Sequence, residues 1–320
     1  MKQIGMRKAL LIALVTLAGL QWVAGQDQGI YTQYMINPVL INPGATGLND
    51  QHELFFNYRN QWSGTEGAPR NYTVSYNGRI YDNVGLGLMA NAETFGALNR
   101  YRALLSYAYQ IESDDFNLGI GLSTEYHQFS LTGGTLLNPL VQFDDPFLME
   151  AADGLQFFDV SFGVWGEIKD RFIFAFSLPN LVRARIDNPT LETNPENTSF
   201  QFFTLFTGYK YDLEEYDMKI YPSILVKRVF MGPDDVHADL NMLVSFLDEQ
   251  LTGGLSYQLG GSKRLGFILG TKIGDFDLYY SYDASFNPLQ NYTSGSHELT
   301  VGITLGQSSE DEQPGNVGEM

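Results

Sequence analysis

Serine, histidine and acidic side chains are the groups in this chain that could do acid–base or nucleophilic chemistry, and they come together once, at Ser296-His297-Glu298. These residue types would suit a hydrolase. Successive side chains of a strand point to opposite faces, so Ser296 and His297 cannot easily meet, and we interpret the group as the polar start of a strand. The sequence has no HExxH pair, no GxSxG elbow and no GxxxxGK phosphate loop. We therefore predict no catalytic residue, no metal site and no cofactor. The four histidines are scattered at His52, His127, His237 and His297.

Arginine and glutamate residues lie in several segments where they would line the inside of a barrel. Such charges form a selectivity filter or a docking surface in some barrels, and in others they are paired and only fill the interior. Both interpretations stay open for this chain. The residues concerned are Arg59, Arg70, Arg100 and Arg102, with Glu53, Glu93 and Glu125.

An alternation of apolar and polar residues runs through most of the chain, and a helical period is almost absent. The clearest segments are 54–62, 71–78 and 101–111, and all such runs together give about 14 strands, an even number typical of bacterial barrels. A soluble β-sandwich also alternates, so the connections must decide. The even-numbered connections are short, and the odd-numbered ones, except the eleventh, are longer, above all 131–156 and 179–198. We predict an all-β fold: a transmembrane antiparallel β-barrel formed by residues 53–306.

The N-terminus has the features of a Sec signal peptide. Three basic residues precede an apolar run at 9–20, and a small-residue site ends at Gly25. The run is shorter than the roughly 20 residues that a membrane-spanning helix needs. We predict cleavage before Gln26 and assign residues 1–25 to the signal peptide.

Composition agrees with an exported barrel. The chain has 19 Tyr, 22 Phe and 33 Gly, although hydrophobic residues reach only 44%. It has no Cys, so its stability does not rest on disulfides. The formal charge of −18 makes nucleic acid a poor partner. The acidic residues either keep exposed loops soluble or meet anionic lipopolysaccharide, by repulsion or through divalent ions.

Seven glycines fall within the predicted strands on the less apolar stripe. Glycine at such positions permits strong curvature, or the close approach of another chain such as a plug to the wall. Both interpretations stay open. The seven are Gly85, Gly87, Gly119, Gly121, Gly163, Gly253 and Gly266.

Residues 26–52 are predicted to form an N-terminal arm, because Pro38 and Pro43 each follow an asparagine and lack the N–H that a central strand donates. Apolar residues of the arm, among them Tyr34 and Leu40, would expose a large area in water. We expect the Asn-Pro turns to fold the arm into the lumen near the periplasmic rim, as a generic plug or as part of a partner contact. At the other end of the chain, residues 307–320 are predicted to be an acidic disordered tail.

Three groups of motifs, in this order and spacing, resemble the PorP/SprF family of the type IX secretion system. The first runs from Gln-Tyr-Met through two Asn-Pro pairs, with Ala45 where the family pattern has an aromatic residue. The second is Arg-Asn-Gln-Trp followed by Gly-Ala-Pro, and the third is a closing hairpin with Ser-Gly-Ser-His-Glu. We take the motif residues as candidates for partner contact or barrel structure. They are Gln33, Tyr34, Asn37, Pro38, Asn42, Pro43 and Gly47 in the first group, Arg59, Asn60, Gln61, Trp62, Gly67 and Pro69 in the second, and Ser294, Gly295, Ser296, His297 and Glu298 in the third.

The resemblance implies an outer-membrane barrel that serves the export or surface attachment of a secreted protein, such as a large adhesin acting through its C-terminal domain. Its partners would be outer-membrane lipid, that cargo and, in some members, periplasmic ring components of the secretion machine. Both chain termini would be periplasmic. Two alternatives stay open: a passive or substrate-specific pore, and a barrel-borne hydrolase.

Overall fold

Strands that follow one another in the sequence pair side by side to make the wall of a closed antiparallel barrel. The first strand pairs over its whole length with the last, from His52 opposite Leu305 to Asn60 opposite His297, and this pairing closes the ring. The protein is described here from a computed structural model, which covers residues 31–133, 149, 152–187, 202–228, 236–260, 263–286 and 291–305. The predicted signal peptide 1–25 and acidic tail 307–320 lie outside these residues, as do the central parts of the predicted connections 131–156 and 179–198.

Fifteen strand segments make fourteen wall strands, because β8 and β9 are two pieces of one strand interrupted at Lys210, and both pair with β10. The prediction of an all-β barrel of about 14 strands is confirmed. The segments are β1 His52–Asn60, β2 Arg70–Tyr81, β3 Val84–Phe95, β4 Leu98–Ser113, β5 Phe116–Leu131, β6 Gln156–Ile168, β7 Phe172–Arg185, β8 Phe203–Tyr209, β9 Tyr211–Leu213, β10 Met218–Arg228, β11 Val236–Phe246, β12 Leu251–Leu259, β13 Arg264–Ile273, β14 Phe276–Ser285 and β15 Ser296–Leu305.

The two faces of the wall differ in chemistry. In β2, Tyr72 and Val74 point outwards and are 51% and 41% exposed, whereas Asn71 and Thr73 point inwards and are buried. The same alternation continues around the ring, so the outer face is a belt of large apolar side chains and the inner face is mostly polar. This is the pattern of a barrel whose outside meets hydrocarbon. Among the described residues, no helix is both long and apolar enough to cross a membrane.

The connections differ between the two ends of the barrel. At one end, the short-connection rim, the turns are residues 82–83, 114–115, 169–171, 214–217, 247–250 and 274–275. The other end, the long-connection rim, carries the remaining ones. Two predictions about this rim are wrong. The third connection is only residues 96 and 97, because β3 and β4 extend as a hairpin to a turn in which Gly96 has a φ of 58°. Strand β7 continues past Pro179, where a bulge accommodates the missing N–H.

The N-terminal arm lies inside the barrel. It leaves β1 at the short-connection rim, and its Tyr31, Tyr34 and Ala45 are buried in a hydrophobic cluster with inward-facing wall residues that include Trp165 and Leu225. Turns shape the arm, as the Asn-Pro pairs predict, with 3₁₀ turns at Pro38–Leu40 and Pro43–Ala45. The arm extends further than expected, however. Polar groups in the half of the lumen near the long-connection rim bind its first described residues.

Candidate functional site

Four inward-facing glycines form a track on the wall against which the backbone of the arm lies. We call Gly85, Gly119, Gly121 and Gly163 the glycine track. A Cβ at Gly121 would overlap the carbonyl of Pro43, and one at Gly85 would overlap that of Thr46. The same holds for Gly119 with Gly44 and for Gly163 with the side chain of Asn42. Close contact with a plug therefore accounts for these four glycines.

The other three glycines have different surroundings. A Cβ at Gly87 or Gly266 would lie 3.2 Å from a threonine methyl of the arm, which is tight but not an overlap with its backbone. Gly253 was placed on the inward stripe by the sequence pattern, and this is wrong. The buried residues of β12 are Thr252, Ser256 and Gln258, so Gly253 lies on the outward face, where a Cβ would meet nothing within 4 Å.

Asn42 explains why an Asn-Pro pair stands at the centre of the arm. Its side-chain oxygen accepts a hydrogen bond from Gly44 N at 2.8 Å, which caps the turn begun by Pro43. Its side-chain nitrogen donates to the backbone oxygens of Val164 at 2.9 Å and Phe176 at 3.1 Å. The first Asn-Pro pair acts similarly, because the Asn37 amide donates to Ser75 Oγ at 2.9 Å. These residues hold the arm to the wall.

Tyr34 is the apolar anchor of the arm. Its ring is 1% exposed and lies edge-on to Phe206, with 6.4 Å between the centroids, and Phe206 in turn stacks on Trp165. Its hydroxyl accepts a hydrogen bond from Asn241 Nδ2 at 2.7 Å. Burial raises the pKa of the Tyr34 phenol well above its ordinary value, with a further contribution from the nearby carboxylate of Asp239. The phenol therefore stays neutral at physiological pH.

A cluster of charged residues binds the start of the arm. We call Arg59, Asp283, Glu298 and Thr32 the seam clamp, because it bridges the first strand, the last two strands and the arm. The Arg59 guanidinium donates to Asp283 at 2.6 Å, to Glu298 at 2.7 Å and to Thr32 Oγ1 at 3.0 Å. Thr32 donates its backbone N–H to Glu298 and its hydroxyl to Asp283, both at 2.8 Å. All four side chains are almost fully buried.

The remaining predicted lumen charges are either paired or hydrogen-bonded to an amide, with one exception. Arg100 bonds to Glu93, and Arg102 donates to Glu125 at 2.6 Å. Glu53 accepts from the Asn77 amide at 3.1 Å. The prediction is wrong for Arg70, which begins β2 on its outward face and is exposed. Paired charges that fill the interior therefore describe this lumen better than a row of free charges.

Motif residues of the second and third groups meet at the long-connection rim. The backbone of Ser63 pairs with residues 294 and 295 through two bonds of 2.7 Å, and Trp62 N donates to Ser296 Oγ at 3.1 Å. Gly67 O accepts from Gly96 N at 2.8 Å, and Pro69 O accepts from the backbone of Gln61 at 2.9 Å. We call residues 61–69, 96–97 and 291–295 the rim platform. Three connections are thus fixed to one another by backbone hydrogen bonds.

Ser296 and His297 do not form a catalytic pair. Ser296 is buried on the inward face, whereas His297 points outwards and its Nδ1 lies 2.7 Å from the hydroxyl of Tyr280. Within the described ranges, no group of three or more His, Cys, Asp or Glu side chains is placed to hold a metal ion.

Sequence reasoning missed the partners of the arm on the wall. Asp283, Asn241 and Ser106 were not among the candidate residues. The available signal was a polar side chain on the inward stripe of its strand, but that signal is shared by most inward residues and does not say which of them touch the arm.

Comparison with known proteins assigns the chain to a family. No curated protein sequence matches it. Among solved structures, it is similar to the outer membrane protein Omp33 of Acinetobacter baumannii, at 9% identity and a TM-score of 0.47, over 81% of this chain and 99% of that one. The CymD monoaromatic hydrocarbon channel is similar at 12% identity and a TM-score of 0.48, over 88% of this chain and 94% of that one. The toluene transporter TbuX of Ralstonia pickettii is similar at 10% identity and a TM-score of 0.46, over 88% of this chain and 94% of that one.

A family model gives the specific relationship. The model described as type IX secretion system membrane protein PorP/SprF matches residues 23–303, which include the described arm and the wall up to Ile303. The chain therefore belongs to the PorP/SprF family of outer-membrane β-barrels of the type IX secretion system.

Proposed function

We propose that this barrel serves the export or surface attachment of a secreted protein through its long-connection rim, and that its lumen is not the path of the cargo. The observation that carries the proposal is the arm, which occupies the lumen with a hydrophobic cluster of its own. Opening the lumen would expose buried side chains such as Tyr34, Trp165 and Phe206. Each large apolar side chain that is uncovered costs about 1.5–3 kcal/mol. A pore that opens freely is difficult to reconcile with this cost.

The rim platform provides the surface that such a role requires. Backbone bonds hold its three connections in place before any partner binds, so little conformational entropy is lost on binding. Tyr292 projects from it and is 79% exposed. Aromatic side chains on a rigid surface are typical anchors of protein interfaces. The partner that we propose for this surface is the C-terminal domain of a secreted adhesin. In this proposal the short-connection rim and the C-terminal end of the wall face the periplasm, towards ring components of the secretion machine.

The experiment compares two tyrosines on opposite rims. Tyr292→Ala removes the exposed ring of the platform, and Tyr216→Ala removes a ring that is 67% exposed at the short-connection rim. Both variants should reach wild-type levels in the outer-membrane fraction. We expect Tyr292→Ala, but not Tyr216→Ala, to reduce the amount of at least one large protein on intact cells, measured by surface proteomics beside a deletion strain.

Two results would count against the proposal. A deletion strain with an unchanged surface proteome would remove the secretion role altogether. Equal losses in the two tyrosine variants would remove the role of the platform. Affinity purification of the tagged barrel from its native envelope, with and without the Tyr292 substitution, identifies the partner in the same strains.

A further inference from the structure

The arm makes one circuit around the inside of the wall, and it meets the strands in their own order. Followed backwards from residue 47, it first contacts β2 and β3, where Gly47 N donates to Asn77 at 2.7 Å and the residue lies against Gly85. Next, the Thr46 hydroxyl donates to Ser106 of β4 at 2.9 Å. Residues 43 and 44 then lie on the glycines of β5 and β6.

The second half of the circuit continues in the same direction. The Ile41 carbonyl accepts from Ser177 of β7 at 2.8 Å, and Tyr34 accepts from Asn241 of β11. Gln33 donates its side-chain amide to Ser281 Oγ of β14 and to the carbonyl of Glu298 in β15, both at 3.1 Å. Thr32 then reaches β1 through the seam clamp, and the Tyr31 hydroxyl lies 3.1 Å from Thr73 of β2, where the circuit began. The bond from Asn37 to β2 crosses the circuit and is its one departure among the hydrogen bonds named here.

The end of the circuit coincides with the pairing that closes the barrel. Every other pairing joins segments that are close in sequence, whereas β15 and β1 come from opposite ends of the wall. Bringing such distant segments together carries the largest loop-closure entropy in the fold. Thr32 bonds to both sides of this pairing, to Arg59 of β1 and Glu298 of β15, and Gln33 bonds to β15. Arg59 is 27 residues from Thr32 in the sequence, whereas Glu298 is 266 residues away.

We propose that the arm is an internal template for closure of the barrel: it fixes the circumference of the wall and joins the last strands to the first through Thr32 and Gln33. The arm precedes every strand in the sequence, so it is present when each later strand is added. The glycine track allows its backbone to lie against the wall at one side. The seam clamp holds the other end of the circuit, where the ring is closed. This role does not depend on what the barrel carries.

Two matched double substitutions test whether the arm helps to close the barrel or only fills its lumen. Thr32→Val with Gln33→Leu removes the side-chain hydrogen bonds to the closing strands. Thr46→Val with Asn37→Leu removes the same kinds of bond between the arm and strands other than β14, β15 and β1, and all four side chains are buried. The readout is amide hydrogen exchange by mass spectrometry in detergent, in β1 and β15, with β12 and β13 of the same sample as the reference.

We expect the first variant to exchange faster in β1 and β15, by about tenfold or more, because local opening becomes more frequent when the bonds that oppose it are lost. The control variant should leave the ratio of exchange rates between the closing strands β1 and β15 and the reference strands β12 and β13 unchanged. If both variants speed exchange at the closing strands equally, or if neither does, the template role is excluded.

A second measurement covers variants that fail to assemble. A chain without residues 31–47 is refolded in detergent, with and without a synthetic peptide of residues 31–51, and closure is followed by the shift in gel mobility between boiled and unboiled samples. The shortened chain should close more slowly and in lower yield than the intact chain, and the peptide should raise both the rate and the yield. A shortened chain that closes as fast and as completely on its own would overturn the proposal.

Discussion

Replacing Gly121 by alanine should destabilise the barrel when the arm is present and stabilise it when the arm is absent. In the intact chain, the three atoms nearest to the new methyl group all belong to Pro43 and Gly44, and the contact with the Pro43 carbonyl is an overlap. Forcing an extra carbon into a packed site costs about 1–3 kcal/mol. We expect Gly121→Ala to lower the free energy of unfolding by an amount in this range.

In a chain without residues 31–47, the same substitution should stabilise the barrel. The overlapping atoms are then absent, and alanine loses less conformational entropy than glycine in a strand, which favours it by about 0.5–1 kcal/mol. Gly253→Ala is the matched control, because its methyl group would meet nothing within 4 Å and the change should be small and independent of the arm.

The assay is urea unfolding of the detergent-refolded protein, followed by tryptophan fluorescence and by gel mobility, for the three sequences with and without the arm. A stability loss for Gly121→Ala that persists in the armless chain would refute the reasoning, since the cost would then come from the wall. Equal effects of Gly121→Ala and Gly253→Ala in the intact chain would refute it as well.

Three further predictions follow from the arm and the clamp. Arg59→Met leaves Asp283 and Glu298 without the guanidinium between them, so the free energy of unfolding should fall by about 3–5 kcal/mol; a loss below about 1 kcal/mol in urea unfolding would contradict this. The Tyr34 phenol has a raised pKa in the docked arm, so its contribution to the stability of docking is complete below about pH 10 and is lost as the pH rises further. The arm should become more accessible to protease above that pH, and this increase should be smaller in Tyr34→Phe. Deleting residues 31–47 should give planar bilayers a conductance that the intact protein lacks, and a silent armless barrel would show that something else closes the lumen.

The wall could be predicted from the sequence because its signal is repeated in every strand. Successive side chains of a strand point to opposite faces of the wall, so a difference in chemistry between the faces gives a pattern with a period of two. Segments such as 101–111 show this pattern clearly. The rule fails where the backbone departs from regular pleating. The bulge beside Pro179 and the tight turn at Gly96 depend on local φ values and register, which composition does not determine. Gly253 was misplaced because a strand with two adjacent glycines, 253 and 254, has no side chains there to mark its faces.

The site was less predictable than the wall. The Asn-Pro pairs and the apolar residues of the arm indicated a folded segment in the lumen, since proline limits pairing and apolar groups avoid water. The circuit itself could not be foreseen. It depends on contacts between residues such as Thr32 and Asp283, which lie 251 positions apart and carry no local sign of one another. Arg59 was recognised as a lumen charge, but its pairing with two carboxylates emerged only from the structure.

The packed arm also bears on the mechanics of the barrel. A hollow ring of strands can flatten into an ellipse when the surrounding bilayer presses on it or when a tethered object is pulled by flow. Here the lumen contains close-packed side chains around Tyr34 and Trp165, and protein interiors of this kind are nearly incompressible. Flattening the wall would therefore squeeze the arm against the glycine track. The cross-section should stay round under tension, a property that the surface attachment proposed above would require.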